Sequence, residues 1–140
     1  LEIEWNNKDP FFDRDLENFQ RLHAQSVISV GIILTRGAAM QARMTGIIEG
    51  FLRSRGHEDA TSLMAYGMKR RTDRQNAAVD RLIKRGVDFP AAFARTFVAD
   101  KFGEATTHWR KLEDRIARGV GNPCPLLLLG LPNGAVMPDR

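Results

Sequence analysis

At 140 residues, with 43% hydrophobic and 27% charged side chains, the chain suits one globular domain and is too polar for a membrane protein. Its longest purely apolar run, Leu126 to Leu129, is far below the ~20 residues that a bilayer-spanning helix needs, and a lone Cys124 forms no internal disulfide, which fits a reducing cytoplasm. A formal charge of +4 and a pI near 9.7 favour an anionic partner without identifying one.

The chain opens on a strand-like run, Leu1-Glu2-Ile3-Glu4-Trp5-Asn6, in which alternation sends Glu2, Glu4 and Asn6 to one side and Leu1, Ile3 and Trp5 to the other. Two acids held side by side repel unless something positive lies between them, and a hard divalent cation such as Mg²⁺ meets that need with oxygen ligands. The strand therefore reads as half of a metal site. Asp9-Pro10 marks a helix entrance, with Asp9 as cap and Pro10 in the first turn, and Phe12, Leu16, Phe19 and Leu22 recur at helical spacing to about Gln25. Val27 to Leu34 is almost continuously apolar, as a strand buried on both faces would be, so strand, helix and strand predict a right-handed parallel crossover.

A helix follows from Met40 to Phe51, then a loop from Gly56 to Thr61. The stretch from Lys69 to Arg85 holds much of the positive excess, as Lys69, Arg70, Arg71, Arg74, Arg81, Lys84 and Arg85 outnumber Asp73 and Asp80, and it would neutralise phosphates. Within it Asp73 is expected to cap a helix through Lys84 that stops at Gly86, and Pro90 to open another that ends at Gly103. Thr106 or Thr107 is expected to cap a helix through Ala117 carrying Trp109, Leu112 and Ile116 inward. After turn-forming residues from Gly119 to Pro125, Leu126 to Leu131 reads as a last buried strand, with an irregular tail beyond Pro132.

The segments Glu2-Ile3-Glu4-Trp5-Asn6-Asn7-Lys8-Asp9-Pro10-Phe11-Phe12-Asp13-Arg14-Asp15-Leu16, Ile28 to Arg36, Ala105-Thr106-Thr107-His108-Trp109 and Cys124-Pro125-Leu126-Leu127-Leu128 resemble the BglII/BamHI-like type II restriction endonucleases of the PD-(D/E)XK nuclease superfamily. The similar segments lie in the first forty and last forty residues, and the middle matches weakly. The resemblance implies an α/β fold, a three-layer restriction-endonuclease-like core whose mixed central sheet is flanked by helices, with a helical insertion at about 40–103. It also implies a Mg²⁺-dependent homodimer, Mn²⁺ substituting, that cuts both strands of palindromic double-stranded DNA. The chain would then be the C-terminal part of a longer nuclease, the family's upstream Asp lying before Leu1.

By the same resemblance Glu2 matches the metal-bridging Glu and Glu4 the variable third position of Glu-x-(Lys, Glu or Gln), making both catalytic residues and metal ligands. Asn6, Asn7 and Lys8 follow on the side from which the family reaches the major groove, and amides and Lys suit base edges or phosphates there. Arg36, at the carboxyl end of its strand, is a further DNA-contact candidate. Arg14, Thr106, Thr107 and His108 complete the candidate set. The rival reading is a non-catalytic DNA-binding protein that retains the nuclease fold.

Overall fold

The computed structural model describes residues 1–66, 68 and 71–136. They form two compact units, one of residues 1–42 with 102–136 and one of residues 43–101. The expected irregular tail falls partly outside the described residues, at 137–140, as do Lys69 and Arg70 of the basic stretch.

The first unit is built on a parallel sheet in the order β1 (Glu2–Glu4), β2 (Gly31–Arg36) and β3 (Leu126–Leu131). Glu2 pairs with Ile33 and Glu4 with Thr35, while Ile33 pairs with Leu128 and Arg36 with Leu131. All three strands run the same way, which corrects the expectation of a mixed sheet. The cause is the connectivity: α1 (Phe11–Ala24) carries the chain back between β1 and β2, and a long helical excursion does so between β2 and β3.

Residues 12, 16 and 19 recur at helical spacing, so Phe12, Leu16 and Phe19 line one side of α1 and pack on Ile33 with Leu112 of α5 (Trp109–Ala117) and Cys124. Burying each large side chain contributes roughly 1.5–3 kcal/mol. Two glycines let the helices approach this closely. A Cβ on Gly31 would lie 2.5 Å from the Phe19 ring, and one on Gly130 would lie 2.8 Å from the Trp109 ring. Arg115 also ties α5 to α1 through Asp13 at 3.2 Å.

Several local expectations change. The strand expected from Val27 begins instead at Gly31, because α1 ends through Ser26 at a positive φ of 58°, with the Val27 N–H donating to the Leu22 carbonyl and His23 Nδ1 lying 3.1 Å from the Ile28 carbonyl oxygen. Residues 25–30 are spent on stopping the helix. β3 is not buried on both faces: Leu127 and Leu129 are 48% and 41% exposed, and Ile3 on β1 is 61% exposed. Helices α1 and α5 pack against the face that carries Ile33.

The caps differ as well. Asp9 does not cap α1; its carboxylate lies 3.5 Å from both Lys111 and Arg115 of α5. Thr72, not Asp73, caps α3 (Asp73–Ile83) in a reciprocal box with Gln75, and α5 starts from His108 with no side-chain cap, the Thr106 hydroxyl being engaged by Arg36 and the Gly103 carbonyl while the Thr107 hydroxyl is buried without a partner.

The second unit contains the end of α2 (Ala38–Ser54), α3 and α4 (Phe89–Lys101). Its apolar centre is Leu52, Leu63 and Phe93, and Gly86 at φ 87° ends the α3 turn as expected. No helix among the described residues is long and apolar enough to cross a membrane.

Candidate active site

Because side chains two apart on a strand share a face, Glu2 and Glu4 both project toward the α1 side of the sheet, level with Ile33 and Thr35. Glu2 is half-buried and Glu4 is buried. The Thr35 hydroxyl donates to the Glu4 carbonyl oxygen at 2.7 Å, which fixes the end of β1. Burial pushes the Glu4 carboxyl up to about 7, opposed by the Asn7 amide that donates to its Oε2 at 2.8 Å and reinforced by the neighbouring acid Asp15. An acid poised near neutrality is suited to taking a proton from water.

Asp15 was not foreseen as a site residue. It is 3% exposed, its Oδ2 has no hydrogen-bond partner, and its Oδ1 accepts from Arg14 Nε and Nη2 at 2.9 and 2.7 Å. Arg14 Nη2 also lies 3.7 Å from Glu4 Oε1, so an exposed guanidinium leans over two buried carboxyls. The sequence did carry a signal for this: Asp15 interrupts the apolar stripe Phe12, Leu16, Phe19, where a charge must be buried with the helix face.

The other candidates separate into two groups. Asn6, Asn7 and Lys8 are exposed, with Asn7 also reaching Glu4. Arg36, Thr106, Thr107 and His108 are buried. The Arg36 guanidinium donates to the Thr106 hydroxyl at 2.8 Å and to the Thr107 carbonyl, and its charge lies 4.9 Å over the Phe102 ring. Burial lowers its pKa to about 10, still leaving it a cation at neutral pH. With no exposed surface, Arg36 works inside the unit, bolting the 102–107 turn to β2. That turn in turn positions the start of α1, since the Thr107 N–H donates to the Asn7 carbonyl at 2.8 Å and the Asp9 N–H to the Ala105 carbonyl at 3.1 Å. Burial lowers the His108 pKa, so the imidazole is neutral at pH 7, and its Nε2 has no hydrogen-bond partner.

No set of three or more His, Cys, Asp and Glu side chains converges as a metal cage among the described residues. Mg²⁺ rarely uses such a cage; one or two carboxylates hold it while water and substrate phosphate complete the shell. The donors here fit that pattern: hard oxygens of Glu2 and Glu4, one buried acid driven toward its neutral form, and an orphaned Asp15 oxygen beside it. Arg14 brings one positive charge to this cluster of three acids, from its exposed side.

The sequence model of the restriction endonuclease BglII/BglIII family matches residues 1–131. The chain belongs to this family. The match runs through the middle of the chain as well as its two ends, so the helical unit falls within the family's span. No curated protein and no solved structure matches the chain. Membership places the protein among sequence-specific DNA endonucleases of restriction systems.

Proposed function

We propose that the protein is a type II site-specific deoxyribonuclease that hydrolyses both strands of a palindromic duplex as a cytoplasmic homodimer, using a divalent cation, Mg²⁺ with Mn²⁺ able to replace it. The observation that carries this reading is the β1 edge, where Glu2 and the buried, near-neutral Glu4 share one face beside Asp15. Glu2 and Glu4 would hold the cation. When bound, it supplies charge for the phosphoryl oxygens and acidifies water.

The chain's own residues do the rest. The Glu4 carboxylate accepts a proton from the attacking water as that oxygen bonds to phosphorus, the bond to the 3′ oxygen breaks, and the departing oxygen takes a proton from solvent, leaving 5′-phosphate and 3′-hydroxyl ends. Asn7 holds Glu4 Oε2 in place from one side and Arg14 leans on its Oε1 from the other. Asn6 and Lys8, exposed at the end of the same strand, are in the DNA-contact role, and a twofold dimer would present two such edges to a twofold site. Arg36, Thr106, Thr107 and His108 support the site from within. The helical unit, residues 43–101, is an insertion into the nuclease core.

Cleavage of plasmid DNA by the whole chain in Mg²⁺, compared with Glu2→Ala, tests the reading. The substitution is expected to reduce turnover by about 10³-fold or more while leaving duplex binding in EDTA within about twofold. Undiminished cutting by the variant would remove Glu2 from the site. Metal-independent binding with no cutting by the native chain would favour the non-catalytic reading instead.

A further inference from the structure

The two units differ in sign. Residues 43–101 hold twelve Lys and Arg against seven Asp and Glu, whereas the remaining residues hold nine against ten. The whole positive excess of the chain therefore lies in the helical unit, and the unit with the acidic β1 edge has none to spare. A polyanion approaching Glu2 and Glu4 meets like charge there, so its attraction must come from elsewhere in the chain.

Within the helical unit, α3 and α4 border an open cleft of about 1000 Å³ whose lining includes Arg71, Arg74, Arg81 and Lys101. Arg74, Ala78 and Arg81 lie at helical spacing along one side of α3, which sets the Cα atoms of the two arginines about 10 Å apart along the axis. Arg74 and Arg81 are exposed, and Arg74 acts on Asp100 only from beyond ion-pair distance. The acid of the lining, Asp100, is already engaged by Lys101 at 3.2 Å and by the Gln75 amide at 3.0 Å. Arg71 is held in place at the cleft wall, stacked 4.8 Å over the Phe93 ring while it donates to the Gln75 carbonyl at 2.9 Å. One cation is thus fixed at the wall and two more are exposed along it. Distributed, unburied charge of this kind suits a repeating phosphodiester chain better than a single phosphate, which calls for convergent buried donors.

We propose that the α3–α4 cleft is a second DNA-binding surface, one that takes the sugar-phosphate backbone of duplex DNA without regard to base sequence and supplies most of the protein's electrostatic affinity. This rests on the nuclease reading for the identity of the polyanion.

The test is anisotropy of the whole chain with a labelled duplex of about 30 base pairs of mixed sequence, in EDTA, across a series of NaCl concentrations. For the double variant Arg74→Ala/Arg81→Ala the slope of log K against log salt is expected to fall in magnitude by about 1.8, or about 0.9 per lost phosphate contact, with binding at least about tenfold weaker at 0.1 M salt. Arg74→Lys/Arg81→Lys should keep most of the slope, because charge rather than fork geometry carries the effect. Both positions are exposed, so unchanged thermal unfolding will show that the fold is intact. An unaltered slope in the alanine variant overturns the cleft while leaving cleavage through Glu2 untouched. Salt-independent binding by the native chain, or preference for polyglutamate over the duplex, also overturns it. If instead the slope falls as expected but Glu2→Ala cuts normally, the cleft stands and the active-site assignment fails.

Discussion

In the α/β unit, residues 1–42 and 102–136, five acidic or basic side chains are buried; in the helical unit, residues 43–101, none of the described ones is. Glu4, Asp15, Arg36, His108 and Arg115 are all buried and all belong to the first unit. The buried side chains of the second, among them Leu52, Leu63, Val79 and Phe93, are apolar. Ionisable groups taken out of water cost several kcal/mol unless their surroundings compensate, and that enforced cost is what moves Glu4 toward neutrality. Exposed cations cost nothing to keep charged and act at a distance. The division teaches that acid–base chemistry and anion attraction make opposite demands on burial, and this chain meets them in different places.

The largest effect that would sharpen the contrast is at Arg36. Arg36→Ala leaves the Thr107 carbonyl and the Thr106 hydroxyl without their buried donor, together with a cavity under Phe102. The expected loss is about 3 kcal/mol, or about 10 °C in Tm by calorimetry. Arg36→Lys should recover part of it, since one ammonium cannot reproduce the planar fork. A loss below about 1 kcal/mol would mean that burial of this charge is incidental, and the contrast between units would weaken.

Much of this arrangement was legible before the fold was known. Alternation put Glu2 and Glu4 on one face, and the spacing of Phe12, Leu16 and Phe19 gave α1 almost to the residue. What the sequence hid was depth. Arg36 at a strand's carboxyl end looks like a ligand contact until the 102–107 turn, some seventy residues on, closes over it. Thr106 looks like a helix cap for the same reason, since Arg36, which engages its hydroxyl, is equally distant in the chain. The strand direction of β3 was also out of reach, because it depends on how the intervening helices return the chain. Asp15 was readable and overlooked: an acid on an apolar stripe is a local anomaly that needs no tertiary information.

A smaller effect concerns the Glu4 carboxyl, which faces Asp15, Arg14 and Asn7. In the folded protein it holds its proton up to about 7, against 4.5 when unperturbed. Between those values the folded state binds more protons than the unfolded one, so stability falls as pH rises. The contribution is complete below about pH 4.5 and lost above about pH 7. In EDTA, Tm is therefore expected to decline across that window more steeply for the native chain than for Glu4→Gln, and Mn²⁺ should flatten the native profile by stabilising the ionised form. Parallel profiles for the two proteins would show that Glu4 is not the group responsible.

The smallest effect tests the other side of the comparison. Arg53 in the helical unit has partners as close as those of Arg36: Glu49 at 2.8 Å and Asp88 at 2.7 Å, which hold its pKa above the ordinary arginine value. Yet its side chain is 47% exposed, so water and salt screen both contacts. Arg53→Ala is expected to move Tm by about 2 °C or less, and by less again at high salt. Asp88→Ala should cost more than Arg53→Ala, because Asp88 also accepts from the Ala91 N–H in the first turn of α4, and that cap persists when the ion pair is screened. Equal losses at Arg53 and Arg36 would show that contact distance, not burial, sets the worth of an arginine in this fold. The division of labour between the two units would then lose its physical basis.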